Sequence, residues 1–388
     1  MYKIKTLNSI QPVWQNIMKE DSYQVGSDLE NMDAIIVRSA DMHGMDLPES
    51  LLCVGRAGAG VNNIPCDEMA QKGVVVFNTP GANANAVKEL VILGLLLSGR
   101  DVVSGIRWAD TLKGEGENVG KLVEKGKSQF VGPELMGKTL GVIGLGGIGG
   151  MVANTAVSLG MKVMGLDPFI SIDNAWRLKR EIQHVTNLED LLGQSDYVTV
   201  HVPLTKETRG SLSTDQFAAM KDGSVLLNFA RGEIVDTAAL LAAISSGKIR
   251  RYVTDFPNDE LIGAEHVVCI PHLGASTPES ENNCVSMVAT EIDAYLTNGS
   301  ILHSVNYPDC SLPPVFGKRL TILHANIPNM IGQITSGIAK YSINIGNMVN
   351  RSKGAFAYTV LELDSDVPES ALSDLSSLDG VYRVRLLG

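Results

Sequence analysis

Short apolar runs alternate with helix-like periods over the first hundred residues. The runs lie at 33–39, 51–60 and 74–80, and each ends in a polar or glycine-rich turn. This alternation predicts βα units in an open parallel sheet, in which the ligand-binding loops follow the carboxyl ends of the strands. Residues 85–112 then predict one or two long helices.

A second α/β unit follows a polar, glycine-rich surface segment. Its six predicted strands are separated by helical patterns, which suits a doubly wound nucleotide-binding domain. The strands are 139–146, 162–168, 197–203, 224–230, 249–256 and 266–271. Residues 280–300 predict the helix by which the chain leaves this domain.

The last part of the chain has a different character. Residues 306–317 carry three prolines and no clear period, which predicts a linker. Residues 318–388 then predict the order βαββαβ, the ferredoxin-like split βαβ arrangement. The sequence contains no internal repeat.

Composition narrows the functional classes. The 388 residues carry a formal net charge of −11, which opposes nucleic-acid binding because a phosphate backbone requires a basic surface. The five cysteines form no close pair and no metal-ligand spacing, so we expect reduced thiols, no metal and a cytoplasmic location. The N-terminus does not resemble a signal peptide, and the longest apolar run, 90–97, is too short to span a membrane.

The strongest chemical motif is G-x-G-x-x-G at Gly144, Gly146 and Gly149, between a predicted strand and a predicted helix. Such glycines permit a tight turn, close approach of a pyrophosphate and helix–strand packing. Asp167 ends the next strand, 18 residues after Gly149, near the expected distance of about 20. A structural glycine turn is the alternative. Asp167 favours NAD over NADP, because a carboxylate accepts from ribose hydroxyls and repels a 2′-phosphate.

Four polar residues follow three later strands. Arg231 follows one predicted strand, Asp255 lies at the end of the next with Glu260 five residues later, and His272 follows the last. Each has an ordinary alternative, such as a surface arginine or a packed histidine. Together they provide a fork for a substrate carboxylate, a base for a hydroxyl proton and a carboxylate to orient that base.

These motifs resemble the D-isomer-specific 2-hydroxyacid dehydrogenases. The resemblance is carried by GVIGLGGIG, LDP, HVPLTKETRG, NFARGEIVD, DFPNDE and PHLGAST, and it covers about residues 1–305. It implies Arg231, Glu260 and His272 as catalytic residues, with His272 as the acid/base. It implies NAD contacts at Gly144, Gly146, Gly147, Ile148, Gly149, Asp167, Val202, Pro203, Phe229, Ala230, Arg231, Asp255, His272 and Gly274.

The resemblance also implies an interrupted layout. A Rossmann-like NAD domain (95–288) is inserted into a flavodoxin-like substrate domain (1–94 and 289–305). The pieces IIVRSADMHGMDL, VGRAGAGVNNI and VVVFNTPGANANAVKEL are most similar to the branch that oxidises 3-phosphoglycerate in L-serine biosynthesis. This branch implies substrate contacts at Arg38, Ser39, Arg56, Gly58, Ala59 and Gly60.

Two alternatives remain at this level. One is a reductase of glyoxylate, hydroxypyruvate or another 2-hydroxyacid, which would not need both Arg38 and Arg56. The other is a non-catalytic NAD-binding regulator.

Residues 318–388 resemble an ACT domain, a small regulatory module of amino-acid enzymes. The resemblance implies an L-serine site at His324, Asn326 and Asn344, and a homo-oligomer, either dimer or tetramer. Asn329 replaces the usual glycine of the first loop, and asparagine tolerates left-handed backbone better than most residues. In the dehydrogenase part of the chain, Ala59 and Lys88 stand where the dehydrogenase family more commonly has threonine and alanine, respectively.

Overall fold

A computed structural model describes all 388 residues, which divide into two compact units. Unit 1 consists of residues 1–82 and 281–388, and unit 2 of residues 83–280. Unit 2 is therefore an insertion in the sequence of unit 1. The sequence places the limits of the inserted domain at 95 and 288, so the two descriptions differ by 12 residues at the first limit and by 8 at the second.

The first sheet belongs to unit 1 and is fully parallel, with the order β2-β1-β3-β4-β5. Its strands are β1 (Tyr2–Leu7), β2 (Tyr23–Gly26), β3 (Ala34–Val37), β4 (Cys53–Arg56) and β5 (Val75–Phe77), with helix α1 (Cys66–Gln71) between the last two. This is the flavodoxin-like order, which reverses direction between β1 and β3. The sequence pattern misses β1 and β2, because both are mostly half-exposed and carry no continuous apolar run.

Unit 2 contains eight α-helices. They are α2 (Ala84–Gly99), α3 (Val102–Asp110), α4 (Val119–Gly126), α5 (Gly147–Ser158), α6 (Ile172–Trp176), α7 (Leu188–Gln194), α8 (Thr214–Ala219) and α9 (Thr237–Ser245). Helix α4 lies in the segment that the sequence predicts as a polar, glycine-rich surface segment, for which the sequence pattern assigns no helix. Its apolar residues Val119, Leu122 and Val123 do have helical spacing, but the helix is only eight residues long and includes two glycines.

The sheet of unit 2 has seven parallel strands, in the order β12-β11-β10-β9-β6-β7-β8. They are β6 (Thr139–Ile143), β7 (Lys162–Leu166), β8 (Gln183–His184), β9 (Tyr197–Val200), β10 (Ser224–Asn228), β11 (Ile249–Thr254) and β12 (Val267–Cys269). The sequence predicts six of them and misses β8, an exposed two-residue edge strand. The order reverses direction between β6 and β9, and ligands bind at such a switch point in doubly wound sheets.

The longest helix, α10 (Pro278–Asn298), returns the chain to unit 1. It packs closely on the first sheet: a Cβ atom at Gly55 would lie 2.2 Å from Cγ2 of Val288. No helix of the protein combines the length and the apolar character needed to cross a membrane. After α10, the segment predicted as a linker contributes buried residues, among them Asn306, Tyr307 and Cys310.

The C-terminal residues form an antiparallel sheet in the order β14-β15-β13-β16. The elements are β13 (Lys318–Ala325), α11 (Met330–Ala339), β14 (Ile345–Lys353), β15 (Phe356–Leu363), α12 (Glu369–Ser376) and β16 (Val381–Leu387). This is the predicted βαββαβ order, and the predicted α/β class with its three sheets is confirmed. Asn329 precedes α11 with φ 65°, so asparagine does occupy a left-handed position in this loop.

The C-terminal sheet shares a hydrophobic core with the rest of unit 1. Leu323, Tyr358 and Val360 of this sheet lie in one buried cluster with Tyr295 and Leu296 of α10. The Tyr358 hydroxyl donates to the carbonyl of Gly299 at 2.7 Å. The C-terminal domain is therefore packed against α10 and is not merely attached to it by a chain segment.

Candidate active site

The glycine-rich turn joins β6 to α5 at the switch point of the second sheet. Gly144 has φ 91°, and a Cβ atom there would lie 2.7 Å from the carbonyl oxygen of His201. A Cβ atom at Gly149 would lie 1.9 Å from the carbonyl oxygen of Gly144. Neither position accepts a side chain, whereas a Cβ atom at Gly146 would meet no neighbour within 4 Å. Gly146 thus keeps open the space in front of the amino end of α5, where a pyrophosphate binds in such folds.

Asp167 lies beside this turn, just after β7. Its Oδ2 accepts a hydrogen bond from the backbone N–H of Leu145 at 2.8 Å, and its Oδ1 accepts one from Phe169 at 2.9 Å. These bonds fix the carboxylate, and each oxygen retains a lone pair for a further donor. The residues of this turn therefore fit a dinucleotide whose ribose hydroxyls donate to Asp167.

The other residues predicted to bind the cofactor gather at the same edge of the sheet. Gly147 and Ile148 form the first turn of α5, Val202 and Pro203 follow β9, and Phe229 and Ala230 follow β10. Because the sheet is parallel, the carboxyl ends of β6, β7, β9 and β10 lie along one edge.

Arg231 extends from the turn after β10. The side-chain amide of Asn228 donates to the carbonyl of Arg231 at 2.9 Å, and its Oδ1 accepts from the N–H of Ala230 at 3.1 Å. The Arg231 guanidinium donates to the carbonyl of Ala230 at 2.7 Å and is otherwise exposed. The buried Asn228 therefore sets the backbone from which this guanidinium reaches solvent.

Asp255 and His272 lie together after β11 and β12. Asp255 is 2% exposed, and its Oδ1 has no hydrogen-bond partner. Burial raises the pKa of Asp255, and the charges of His272 and then Arg231 oppose this rise, so all three groups are close in space. The His272 ring is exposed and packs edge-on against Phe256, with 4.7 Å between ring centroids.

Glu260 is not joined to His272 in this conformation. It lies exposed in the loop after β11 and has no hydrogen-bond or ion-pair partner. The charge of His272 acts on the pKa of Asp255, which the sequence assigns to the cofactor, but Asp255 forms no hydrogen bond or ion pair with His272 either. Gly274 lies beside Asp255, because a Cβ atom at Gly274 would be 3.6 Å from Oδ2 of Asp255.

A pair of arginines lies in unit 1. Arg56 ends β4, Arg38 follows the neighbouring β3, and Nε of Arg56 donates to the carbonyl of Arg38 at 3.1 Å. A Cβ atom at Gly58 would lie 1.7 Å from Nη1 of Arg56, so only glycine leaves room for the guanidinium there. Arg38 forms an ion pair with Glu281, near the start of α10.

Two residues of this region are not found by the sequence reasoning. Asn8 follows β1, and its Oδ1 accepts from the backbone N–H groups of Ser39 at 3.0 Å and Ala40 at 2.8 Å. Recognition of β1 would have drawn attention to Asn8, whereas no local signal connects Glu281 with Arg38. The predicted contacts Ala59 and Gly60 lie in the loop after β4, where the carbonyl of Ala59 accepts from Asn78 at 2.6 Å.

The predicted effector residues lie in two environments. His324 is 2% exposed, and its ring nitrogens bond to the carbonyl of Ala325 and to the hydroxyl of Thr359, both at 2.8 Å. Asn326 and Asn344 are exposed, after β13 and before β14 respectively. The histidine is therefore part of the interior of the sheet, and only the two asparagines reach solvent.

Comparison with known proteins identifies the family to which this chain is similar. The family model "D-isomer specific 2-hydroxyacid dehydrogenase, NAD binding domain" matches residues 103–274. The D-3-phosphoglycerate dehydrogenase of Escherichia coli (strain K12) is 34% identical over 352 residues, which cover 87% of this chain and 82% of that protein.

Solved structures give the same result. The apo form of Rhodotorula graminis D-mandelate dehydrogenase matches with a TM-score of 0.68 and 26% identity, covering 81% of this chain and 99% of that one. The NAD+-bound 3-phosphoglycerate dehydrogenase of Entamoeba histolytica matches with a TM-score of 0.60 and 27% identity, covering 79% of this chain and 98% of that one.

The chain therefore belongs to the D-isomer-specific 2-hydroxyacid dehydrogenase family, and it is an NAD-dependent dehydrogenase. Within this family it groups with enzymes named D-3-phosphoglycerate dehydrogenase. The predictions of an enzyme and of NAD as its cofactor are confirmed.

Proposed function

We propose that this dehydrogenase oxidises D-3-phosphoglycerate to 3-phosphohydroxypyruvate, the first step of L-serine biosynthesis, in the cytoplasm. The observation that carries the proposal is the pairing of Arg38 and Arg56 on adjacent strands of unit 1. Two guanidinium groups match the charge of a phosphate, which accepts several charge-assisted hydrogen bonds. A 2-hydroxyacid without phosphate would not require both.

The redox chemistry is assigned to unit 2. The glycine-rich turn and Asp167 would hold NAD, which would supply the acceptor for the hydride of the carbon that carries the substrate hydroxyl. His272 takes the hydroxyl proton, because an imidazole nitrogen is a suitable general base for a hydroxyl group. Arg231 holds the substrate carboxylate through its planar fork. The buried carboxylate of Asp255 stabilises the protonated His272. The reciprocal effect supports this role, since the charge of His272 lowers the pKa of Asp255.

Glu260 keeps its proposed role as a partner of His272 during turnover. For this role, the loop after β11 would have to move the Glu260 carboxylate to the His272 ring. Asp255 already lies near that ring. The two roles separate experimentally: Asp255→Asn should alter the pH dependence of kcat/KM, which reports the free enzyme. Glu260→Gln should alter mainly the pH dependence of kcat, which reports the bound complex.

The test of the function follows NADH absorbance with NAD and either 3-phosphoglycerate or D-glycerate. His272→Ala should lower kcat by about 10²–10⁴-fold. Arg38→Ala and Arg56→Ala should raise KM for 3-phosphoglycerate by about tenfold or more, since each lost bond to a charged group is worth roughly 1.5–3 kcal/mol. Their effect on KM for D-glycerate should be small.

The matched control is Arg180→Ala, which removes an exposed arginine of unit 2. Equal loss of both substrates in the Arg38 and Arg56 variants would contradict phosphate binding. Higher activity of the unmodified protein with glyoxylate or hydroxypyruvate and NADH than with the phosphorylated pair would favour the reductase alternative.

We further propose that L-serine inhibits the enzyme through the C-terminal domain of a homo-oligomer, dimer or tetramer. Asn326 and Asn344 are exposed and offer amide donors and carbonyl acceptors that suit an amino acid. The left-handed backbone of Asn329 supports this assignment, because the turn between β13 and α11 keeps this conformation with asparagine in place of the usual glycine. His324 would act by holding β13 to β15 rather than by touching the ligand.

Titration of L-serine into the NADH assay tests this proposal. Asn344→Ala should abolish inhibition and leave kcat unchanged, whereas Asn118→Ala, an exposed asparagine of unit 2, should leave inhibition intact. Absence of inhibition at millimolar serine in the unmodified protein would contradict it. The oligomeric mass is measured by light scattering with and without serine.

A further inference from the structure

A small polar cavity lies at the amino edge of the seven-stranded sheet, opposite the edge that carries Gly144 and Asp167. Its volume is about 200 Å³, and it is lined by the segments just before β6, β9 and β10 and by the start of β11. Strands of four to six residues separate the two edges by roughly 15 Å. The cavity is thus distinct from the dinucleotide site and lies wholly within unit 2.

Two buried hydroxyl groups line this cavity without a hydrogen-bond partner. Tyr197 is 1% exposed and Ser224 is 2% exposed, and neither hydroxyl has a protein acceptor, although the Arg250 guanidinium lies near the phenol oxygen. A buried hydroxyl without a partner costs about 1–3 kcal/mol. Two such groups in one polar cavity therefore indicate an acceptor that occupies it in solution.

Three cationic side chains surround the same space, namely Lys138, Lys221 and Arg250. Arg250 is fixed, because its Nη1 donates to the carbonyl of Ser98 at 3.0 Å. Burial raises the pKa of Tyr197 while the neighbouring Arg250 lowers it, and the net rise keeps the phenol protonated as a donor. With Asp196 and Asp222 counted, the lining carries three positive and two negative side chains, a net charge of +1, whereas the protein as a whole carries −11.

The two carboxylates of the lining are already bonded. Asp196 accepts from the backbone N–H of Thr139 at 2.8 Å and from Nζ of Lys221 at 3.1 Å. Asp222 accepts from Nζ of Lys248 at 2.9 Å. Neither carboxylate supplies an acceptor to Tyr197 or Ser224, and a bound cation would have to compete with the three cationic groups.

We propose that this cavity is a second anion site, which binds a phosphate group. The ionised oxygens of a phosphate group accept hydrogen bonds, and the cavity offers hydroxyl, ammonium and guanidinium donors. A phosphate group and a short attached chain fit the available volume. The group comes either from inorganic phosphate or from the end of a small phosphorylated metabolite.

Thermal unfolding of the full chain in inorganic phosphate, with chloride added to keep ionic strength constant, tests the site. Phosphate should raise the unfolding midpoint saturably; at 100 times its Kd the ratio of folded to unfolded protein rises about 100-fold. Tyr197→Phe and Lys221→Met should lose most of this response. Without phosphate, Tyr197→Phe should be at least as stable as the unmodified protein, because phenylalanine keeps the shape of the ring and lacks the unpaired hydroxyl.

Two controls separate this site from the proposed substrate site. The double variant Arg38→Ala/Arg56→Ala should keep the response, and so should Lys121→Met, which removes an exposed lysine of unit 2. Glycerol 3-phosphate in place of inorganic phosphate distinguishes the two sources: a lower Kd identifies a metabolite end group, and an equal or higher one identifies the free ion.

An equal phosphate response in the unmodified protein, Tyr197→Phe and Lys221→Met would overturn the proposal. So would a midpoint that phosphate does not change, which would mean that water alone satisfies the two hydroxyls. Loss of the response only in the Arg38/Arg56 double variant would assign all phosphate binding to unit 1 and would likewise overturn it.

Discussion

The almost fully buried Arg319 is one of the side chains that join the C-terminal domain to the rest of unit 1, and its removal should destabilise the whole unit. Arg319 is 1% exposed; its guanidinium bonds to the Glu362 carboxylate at 2.6 Å and donates to the carbonyls of Asn298 at 2.7 Å and Pro313 at 3.0 Å. These partners belong to β15, the end of α10 and the segment before β13. The perturbation is Arg319→Met, which keeps most of the volume and removes every donor.

The expected cost follows from the groups left behind. Breaking a buried ion pair by removing one partner costs about 3–5 kcal/mol. Because 27% of the Glu362 side chain is exposed, water screens part of the unpaired charge, and we expect the lower value of about 3 kcal/mol. The carbonyls of Asn298 and Pro313 also lose their hydrogen bonds in a buried position, which adds to the free-energy cost and partly offsets the screening. The midpoint of urea unfolding should decrease by on the order of 1 M.

Pulsed labelling of cysteine thiols in urea measures this change by region. Cys53, Cys284 and Cys310 are at most 4% exposed, and all three lie in the core cluster shared with the C-terminal sheet. All three should become reactive at one lowered urea concentration. Cys269, in unit 2, provides the internal reference.

Arg351→Met is the matched control, since it removes an exposed arginine of the same domain. Its effect should stay within about 0.5 kcal/mol. The reasoning is refuted if Arg319→Met unfolds at the same urea concentration as the unmodified protein. It is also refuted if Cys310 becomes reactive while Cys53 and Cys284 stay protected, because the domain would then open on its own.

Three further predictions concern single groups. Burial raises the pKa of Glu291 from 4.5 to about 9. The contribution of the protonated carboxyl to stability is therefore complete below pH 4.5 and is lost as the pH rises towards 9. In urea unfolding across this range, Glu291→Gln should remove a decrease in the free energy of unfolding of up to about 1.4 kcal/mol per pH unit. Gly149→Ala should lower the unfolding temperature, because its Cβ atom overlaps the carbonyl of Gly144, whereas Gly146→Ala should keep that temperature and weaken NAD binding in calorimetry. Asp167→Ala should raise the Kd for NAD and narrow the preference over NADP, and a parent protein that binds both equally would contradict this role.

The cofactor turn could be predicted because its determinants are local. Gly144, Gly146 and Gly149 are needed by φ angles and close contacts within a few residues, and the strand and helix on each side have their own periodicity. The same holds for Arg231 and His272, which follow short apolar runs. In a parallel sheet, a polar residue after a strand lies at the ligand-binding edge whichever strands are neighbours.

Contacts between distant segments could not be predicted in this way. The pairing of Arg38 with Glu281 depends on where α10 begins relative to β3, and the approach of Asp255 rather than Glu260 to His272 depends on the course of the loop after β11. Neither has a spacing that a local pattern could reveal.

The sequence by itself determined the class of each domain, the order of most strands along the chain and the dinucleotide turn, since backbone preference and hydrophobic period act between near neighbours. Only the tertiary structure decided the packing of the C-terminal sheet on α10 through Arg319. It also brought Tyr197, Ser224 and Arg250, from three different strands, into one cavity. Such groupings arise because burial selects partners by shape and by unsatisfied hydrogen bonds across the whole fold, and separation along the chain carries no information about either.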